Sequence, residues 1–194
     1  MRTTAVSAAV LLLASPAALP FAHLWDIQEV YSNANGTVQF VEFFTTGFSE
    51  LFLTGVQLQL KVSGTPVNSF TFPSDLPGTT TENRTFLAAT ANFVTLYGIT
   101  PDYIIPPNFL SGGANNLLDY GGFDQVSLAN LPANGVMSLN GLPDNDVPDE
   151  TSINAQATPR NFAGQQVTIP EPATSIVLFV SLGAVAARRR RQLR

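Results

Sequence analysis

From His23 to Asn140 apolar and polar residues alternate in short runs, rich in aromatic and β-branched side chains. Gly, Pro, Asn and Asp interrupt these runs every eight to twelve residues. A strand with one buried face repeats with period two and needs a turn at each end, so this rhythm predicts an all-β sandwich or barrel. The clearest local signal is HLWDIQEVYSNANGTVQFVEFF, in which two alternating runs flank Asn35-Gly36, a dipeptide suited to the left-handed backbone of a type I′ hairpin turn. With that two-residue turn, cross-strand partners sum to 71: Ile27 faces Phe44, Glu29 faces Glu42 and Tyr31 faces Phe40. A four-residue loop would change the sum to 69 and keep the same residues on one face. That face holds Trp25, Ile27, Tyr31, Val38, Phe40 and Phe44, together with both glutamates.

Further strands are expected at Val56 to Val62, Ser69 to Phe72, Arg84 to Ala88, Gln125 to Ala129 and Gly135 to Leu139. One short helix is expected at Ala91 to Tyr97, started by Thr90 and stopped by Gly98, with Pro101 beyond. Ile105 to Gly122, rich in Pro, Gly and Asn, reads as a long surface loop. After Gly141 the chain turns acidic and poor in aromatics, which predicts a loop or linker over 143–157, with Phe162 and Val167 docking a last strand.

The ends change the picture. MRTTAVSAAVLLLASPAALPFA has the layout of a secretory signal peptide over residues 1–22, with Arg2 before an apolar run from Ala5 to Ala14 and small residues after it. Cleavage after Ala22 is expected, with Ala17 and Ala18 as alternatives. Near the other end an uncharged run from Ala173 to Ala187 is shorter than the roughly 17 to 25 residues that span a bilayer. Between the ends only Lys61, Arg84 and Arg160 oppose thirteen acids, a net charge of about −10. Such a surface repels phosphate backbones, which disfavours a nucleic-acid partner. The absence of cysteine excludes disulfides, thiol nucleophiles and cysteine metal sites.

Pro170-Glu171-Pro172, the apolar run and the cluster Arg188, Arg189, Arg190 and Arg191 come in the order of a PEP-CTERM sorting signal, which the tail from 169 to 194 resembles. The resemblance implies a Gram-negative exported protein, held transiently in the inner membrane by a short transmembrane helix. It further implies processing by an exosortase-type enzyme, at the cell surface or in an extracellular polysaccharide matrix. Arginines that end a short apolar helix stay in the cytoplasm, which leaves Pro-Glu-Pro at the outer boundary. Two prolines keep that boundary extended for a protease. The alternative is an ordinary anchor that is never cut.

The body from Leu24 to Leu139 resembles the lamin-tail domain. The matching pieces are Ile27-Gln28-Glu29-Val30, Phe40-Val41-Glu42-Phe43, Leu53-Thr54-Gly55-Val56-Gln57-Leu58 and Phe70-Thr71-Phe72-Pro73. Val56 stands where that family has tryptophan, and Gly98 to Gly122 reads as an insertion. The resemblance implies an immunoglobulin-like β-sandwich with a binding or scaffolding role and carries no catalytic motif.

Glu29 and Glu42 are the one constellation with the look of an active site. Opposed strand positions place Cβ atoms roughly 4.5 to 5.5 Å apart, and retaining glycosidases hold two carboxyls about 5 to 5.5 Å apart. A carbohydrate-active enzyme is therefore the second reading, beside a structural pair in which at least one glutamate bonds backbone donors. Like charges opposed on an apolar face otherwise destabilise it. Asp144, Asp146 and Asp149 gather hard oxygen ligands suited to calcium, which makes a calcium-dependent adhesin the third reading. The same stretch also reads as a solvated linker. His23 is the sole histidine, and no phosphate loop, zinc spacing or Gly-x-Ser-x-Gly is present. The leading expectation is a non-enzymatic protein with no cofactor.

Overall fold

The computed structural model describes residues 22–140 and 153–170. In chain order these form β1 (Asp26–Ser32), β2 (Gln39–Thr45), β3 (Gln57–Val62), β4 (Thr65–Thr71), β5 (Arg84–Thr90), α1 (Ala91–Tyr97), β6 (Tyr103–Ile105), β7 (Asn116–Tyr120), β8 (Asp124–Ser127), β9 (Met137–Asn140) and β10 (Ile153–Gln156). Six strands make one sheet in the order β10-β9-β1-β2-β5-β6, and four make a second in the order β4-β3-β7-β8. Neighbours are antiparallel except β5 and β6, which α1 connects in parallel. The described residues are thus mostly β, two sheets with one short helix, in the manner of a sandwich.

Apolar side chains from both sheets meet in one core. Val30, Val41, Phe43, Phe86 and Ala88 of the larger sheet join Leu58, Leu60, Leu118, Tyr120 and Val126 of the smaller. Phe43 is stacked on Phe86 with ring centroids 4.3 Å apart, and Trp25 meets Phe86 edge-on at 4.7 Å. Such aromatic contacts add to area burial in holding the layers together.

The β1–β2 register corrects the expected one at a single point. Glu29 faces Glu42 and Tyr31 faces Phe40, but Ile27 pairs with Phe43 and Asp26 with Phe44, so Gln28 is an extra, bulged residue. A bulge moves every preceding side chain to the opposite face. Trp25 and Ile27 therefore enter the core between the sheets. Tyr31, Val38 and Phe40 face outward and form a second cluster with Leu87, Ala89, Phe93 of α1, Ala157 and Ile169. The larger sheet is consequently covered on both sides.

Turn chemistry differs as well. Asn33 and Val38 close a four-residue loop, 34–37, through Asn33 N–H to Val38 carbonyl at 3.0 Å, which keeps the partner sum at 71 rather than the 69 expected of such a loop, and only Gly36 within it is left-handed, at φ 68°. The Asn33 side chain accepts from the Val38 N–H and stabilises this wider loop. The two-residue, doubly left-handed turn lies instead at Ser63-Gly64, between the paired Val62 and Thr65. It starts β4 four residues earlier than the sequence pattern suggests.

The helix spans the expected residues, with Gly98 left-handed and its N–H bonded to the Val94 carbonyl. Thr90 precedes it without capping it, because its hydroxyl bonds the Thr37 carbonyl and the Gln39 N–H. Ile105 to Gly122 is not one long loop, and the stretch from Gly98 to Gly122 is built into both sheets. This stretch supplies β6 and β7, and β7 is an inner strand paired to both β3 and β8. The end of the 143–157 linker is likewise a strand, β10, at the sheet edge.

Among the described residues no helix is long and apolar enough to cross a membrane. The expected signal helix and C-terminal transmembrane helix lie outside the described residues.

Candidate functional site

Residues 157–169 fold back on themselves as a narrow hairpin. Ile169 donates to Ala157, Val167 to Pro159 and Asn161 to Gln165, and Gly164 turns the chain. Ala157 and Ile169 join the cluster on the outer side of the larger sheet. In an extended chain every second N–H points the same way. Those of Thr158, Arg160 and Phe162 point away from the hairpin partner, and each meets a carboxylate. Thr158 donates to Glu29 Oε1 at 2.9 Å, Arg160 to Glu42 Oε2, and Phe162 to Asp102 Oδ2 at 2.9 Å. Glu29 comes from β1, Glu42 from β2 and Asp102 from the turn before β6, so the hairpin is held across the sheet at three points. Pro159 has no N–H, and it occupies a position between two of these donors where none is needed on the carboxylate side.

This clasp resolves the conflict of two opposed glutamates. Glu29 also accepts from the Ser138 hydroxyl at 2.5 Å, whereas the described donor to Glu42 is the Arg160 backbone alone. Burial raises both carboxyls above their ordinary range. Glu42 is pushed up to about 8, first by burial and then by the charge of Glu29, with the Arg160 N–H and guanidinium opposing. With fewer donors, Glu42 is the member that keeps a proton near neutral pH, and repulsion is relieved. Asp102 is also raised by burial, opposed by the N–H groups of Leu87 and Phe162.

Between the glutamates and the hairpin lies a cleft of about 240 Å³, lined also by Gln28, Phe44, Thr85 and Asn140. The bulge brings Gln28 here, and its Oε1 is buried without a hydrogen-bond partner among the described residues. Both glutamates use acceptor capacity on backbone donors. A hydrolytic pair needs instead one carboxyl free toward the leaving oxygen and one toward the anomeric carbon.

The raised carboxyl of Glu42 gives stability a definite pH dependence. It keeps its proton in the fold after the unfolded chain has lost one, so its contribution is full below about pH 4.5 and is lost as pH rises toward about 8. The slope is at most about 1.4 kcal/mol per pH unit. Glu42→Gln, which mimics the protonated form, is expected to flatten the fall in melting temperature between about pH 5 and pH 8 and to raise it at pH 8. Parallel melting curves for the two proteins across that window would contradict this assignment.

Asp102 and Thr158 were not singled out by sequence pattern, and Phe162 only as a docking residue, because the bonds that join the carboxylates to the hairpin reach across 60 to 129 residues. His23 sits with Nδ1 3.7 Å from Glu50 and its ring edge-on to Phe123. Pro170 is exposed and directly follows the buried Ile169. Glu171, Pro172, Arg188, Arg189, Arg190 and Arg191 lie outside the described residues, as do Asp144, Asp146 and Asp149. Among the described residues no three metal-binding side chains gather.

A second concavity, about 610 Å³, lies on the outer face of the smaller sheet. Its floor carries Gln57, Gln59 and Lys61 from β3 and Asp119 from β7. Lys61 donates to Asp119 at 2.8 Å, Gln125 and the Gly122 N–H also bond Asp119, and Gln59 donates to Gln57 at 2.8 Å. Phe123 forms part of one wall. Gly121 is left-handed there, and a Cβ on it would come within 2.8 Å of the Phe123 ring, so only glycine lets the ring sit so close. Comparison with family models, with curated proteins and with solved structures finds no match.

Proposed function

We propose that this chain is a non-enzymatic, exported binding or scaffolding protein. Its sandwich is immunoglobulin-like, of the lamin-tail kind, and is released to the cell surface or extracellular matrix after an exosortase-type enzyme cuts its PEP-CTERM tail. The observation that carries this reading is the junction at Ile169 and Pro170: the last docked residue of the hairpin is buried, and the exposed Pro170 opens Pro-Glu-Pro. A processing enzyme at the membrane needs an extended, accessible segment, and the hairpin holds the chain as far as Ile169, immediately before the motif in sequence. The clasp supports the same reading, because it fastens the segment through which a membrane tether would pull.

The body's net negative charge suits a secreted surface and disfavours anionic lipid and nucleic acid as partners. In this reading the carboxylates of Glu29, Glu42 and Asp102 hold the hairpin and perform no chemistry. The test is a Glu171→Ala, Pro172→Ala double variant expressed in the native host. It is expected to accumulate at full length in the membrane fraction while the parent is released. Release of the variant at the parent's rate and mass would overturn the sorting role of the motif.

A further inference from the structure

We infer that the groove on the outer face of the smaller sheet, built on Gln57, Gln59, Lys61, Asp119 and Phe123, binds a neutral polysaccharide chain. Charge selects this class of ligand. The body carries about ten net negative charges, yet the groove is balanced, since its ammonium and its carboxylate are each other's partner at 2.8 Å. A polyanion would approach through a repelling field and find Lys61 already paired. A cation would find Asp119 already bonded to Lys61, Gln125 and the Gly122 N–H. Each charge is already balanced by the other, so neither draws a counter-ion strongly, and a neutral ligand needs neither.

Hydrogen bonding narrows the class further. Gln57 and Gln59 lie two apart on β3 and so share a face. The bond between them uses one Gln59 donor and the Gln57 oxygen, which leaves two N–H donors on Gln57 and an acceptor on Gln59 to offer. A hydroxyl group both donates and accepts, and hydroxyls on adjacent carbons of a sugar can answer both functions of an amide. Asp119 is buried and its three bonds fix Lys61 and Gln125 beforehand, so little side-chain freedom is lost on binding. Phe123 adds an apolar ring at the wall, against which the C–H face of a sugar packs. Its position is fixed by edge contacts to Tyr120 at 5.9 Å and His23 at 6.3 Å. The volume falls within the usual range for ligand sites.

This inference rests on the proposed extracellular role by naming what the displayed sandwich would hold. Binding is read on purified protein and tail processing in the cell, so either can fail alone. The purified full chain would be run in native gels cast with dextran, galactomannan, xyloglucan or soluble starch as neutral probes, and with alginate as an anionic one. At least one neutral polymer is expected to retard it, and alginate is not. Gln57→Ala with Gln59→Ala is expected to weaken that retardation about tenfold or more, and Phe123→Ala to weaken it independently. Melting temperatures near the parent's would show that both variants fold, and Gln57→Glu, an exposed and nearly isosteric change, provides a third variant if they do not. Failure of all four neutral polymers to retard the chain would overturn the proposal. So would equal retardation by alginate, or retardation unchanged in every folded variant.

Discussion

Phe43→Ala is expected to lower the free energy of unfolding by about 3–5 kcal/mol, the cost of truncating a fully enclosed phenylalanine. Phe43 has no solvent exposure and contacts rings from both sheets: Phe86 stacked at 4.3 Å, Tyr120 at 5.1 Å and Phe72 at 6.1 Å. The backbone of β2 is fixed by partners on both sides, β1 and β5, so the site cannot collapse to fill the void. Much of the stability expected of a domain this size would be lost. Phe43→Leu should cost markedly less, because it keeps most of the volume. Denaturant unfolding of the two variants beside the parent checks this. Equal, small losses for both would mean that the sheets do not meet through Phe43.

Asp102→Ala is expected to cost about 3 kcal/mol, since it removes one carboxylate from two backbone donors, Leu87 and Phe162, at 2.8 and 2.9 Å. The Asp102 N–H in turn bonds the Leu87 carbonyl, so the side chain and backbone of this residue together continue the β5–β6 pairing. The loss should be local as well as global. Amide exchange at Phe162 and Arg160 is expected to speed up more than exchange at Val41 in the core of β2, because the hairpin lifts before the sandwich opens. Asp102→Asn keeps an acceptor oxygen and is expected to retain most of the protection. If exchange at Phe162 matched the parent in the alanine variant, the clasp would not be what holds the hairpin.

Strands whose both ends are marked by turn residues were legible from the sequence, and so was α1, bounded by Thr90 and Gly98. The hairpin of β1 and β2 could be placed, and with it the opposition of Glu29 and Glu42. The bulge at Gln28 could not: Gln28-Glu29 breaks the alternation with two successive polar residues, but only packing against α1 and the 157–169 hairpin on one side and the smaller sheet on the other decides which of them is the extra one. β7 was hidden by its neighbours: NLLDY follows Gly112 and Gly113, and its charged Asp119 looks like loop chemistry until Lys61 and Gln125 are seen beside it. The clasp was hidden by distance. Two acidic residues on an apolar face signal a need for donors, but a sequence does not say that alternate amides more than a hundred residues later supply them.

The same separation explains why the glutamates resemble chemistry in sequence and architecture in space. Their spacing suits glycoside hydrolysis, and their hydrogen bonds suit the holding of a strand. The tail makes a simpler argument, since its apolar run is shorter than the usual bilayer span and Pro170 directly follows the last buried residue of the hairpin. Intact mass measurement of the protein in the extracellular fraction tests this most directly. The account predicts a chain that has lost Arg188 to Arg194 together with the apolar run, and a released chain still carrying Arg194 would contradict it.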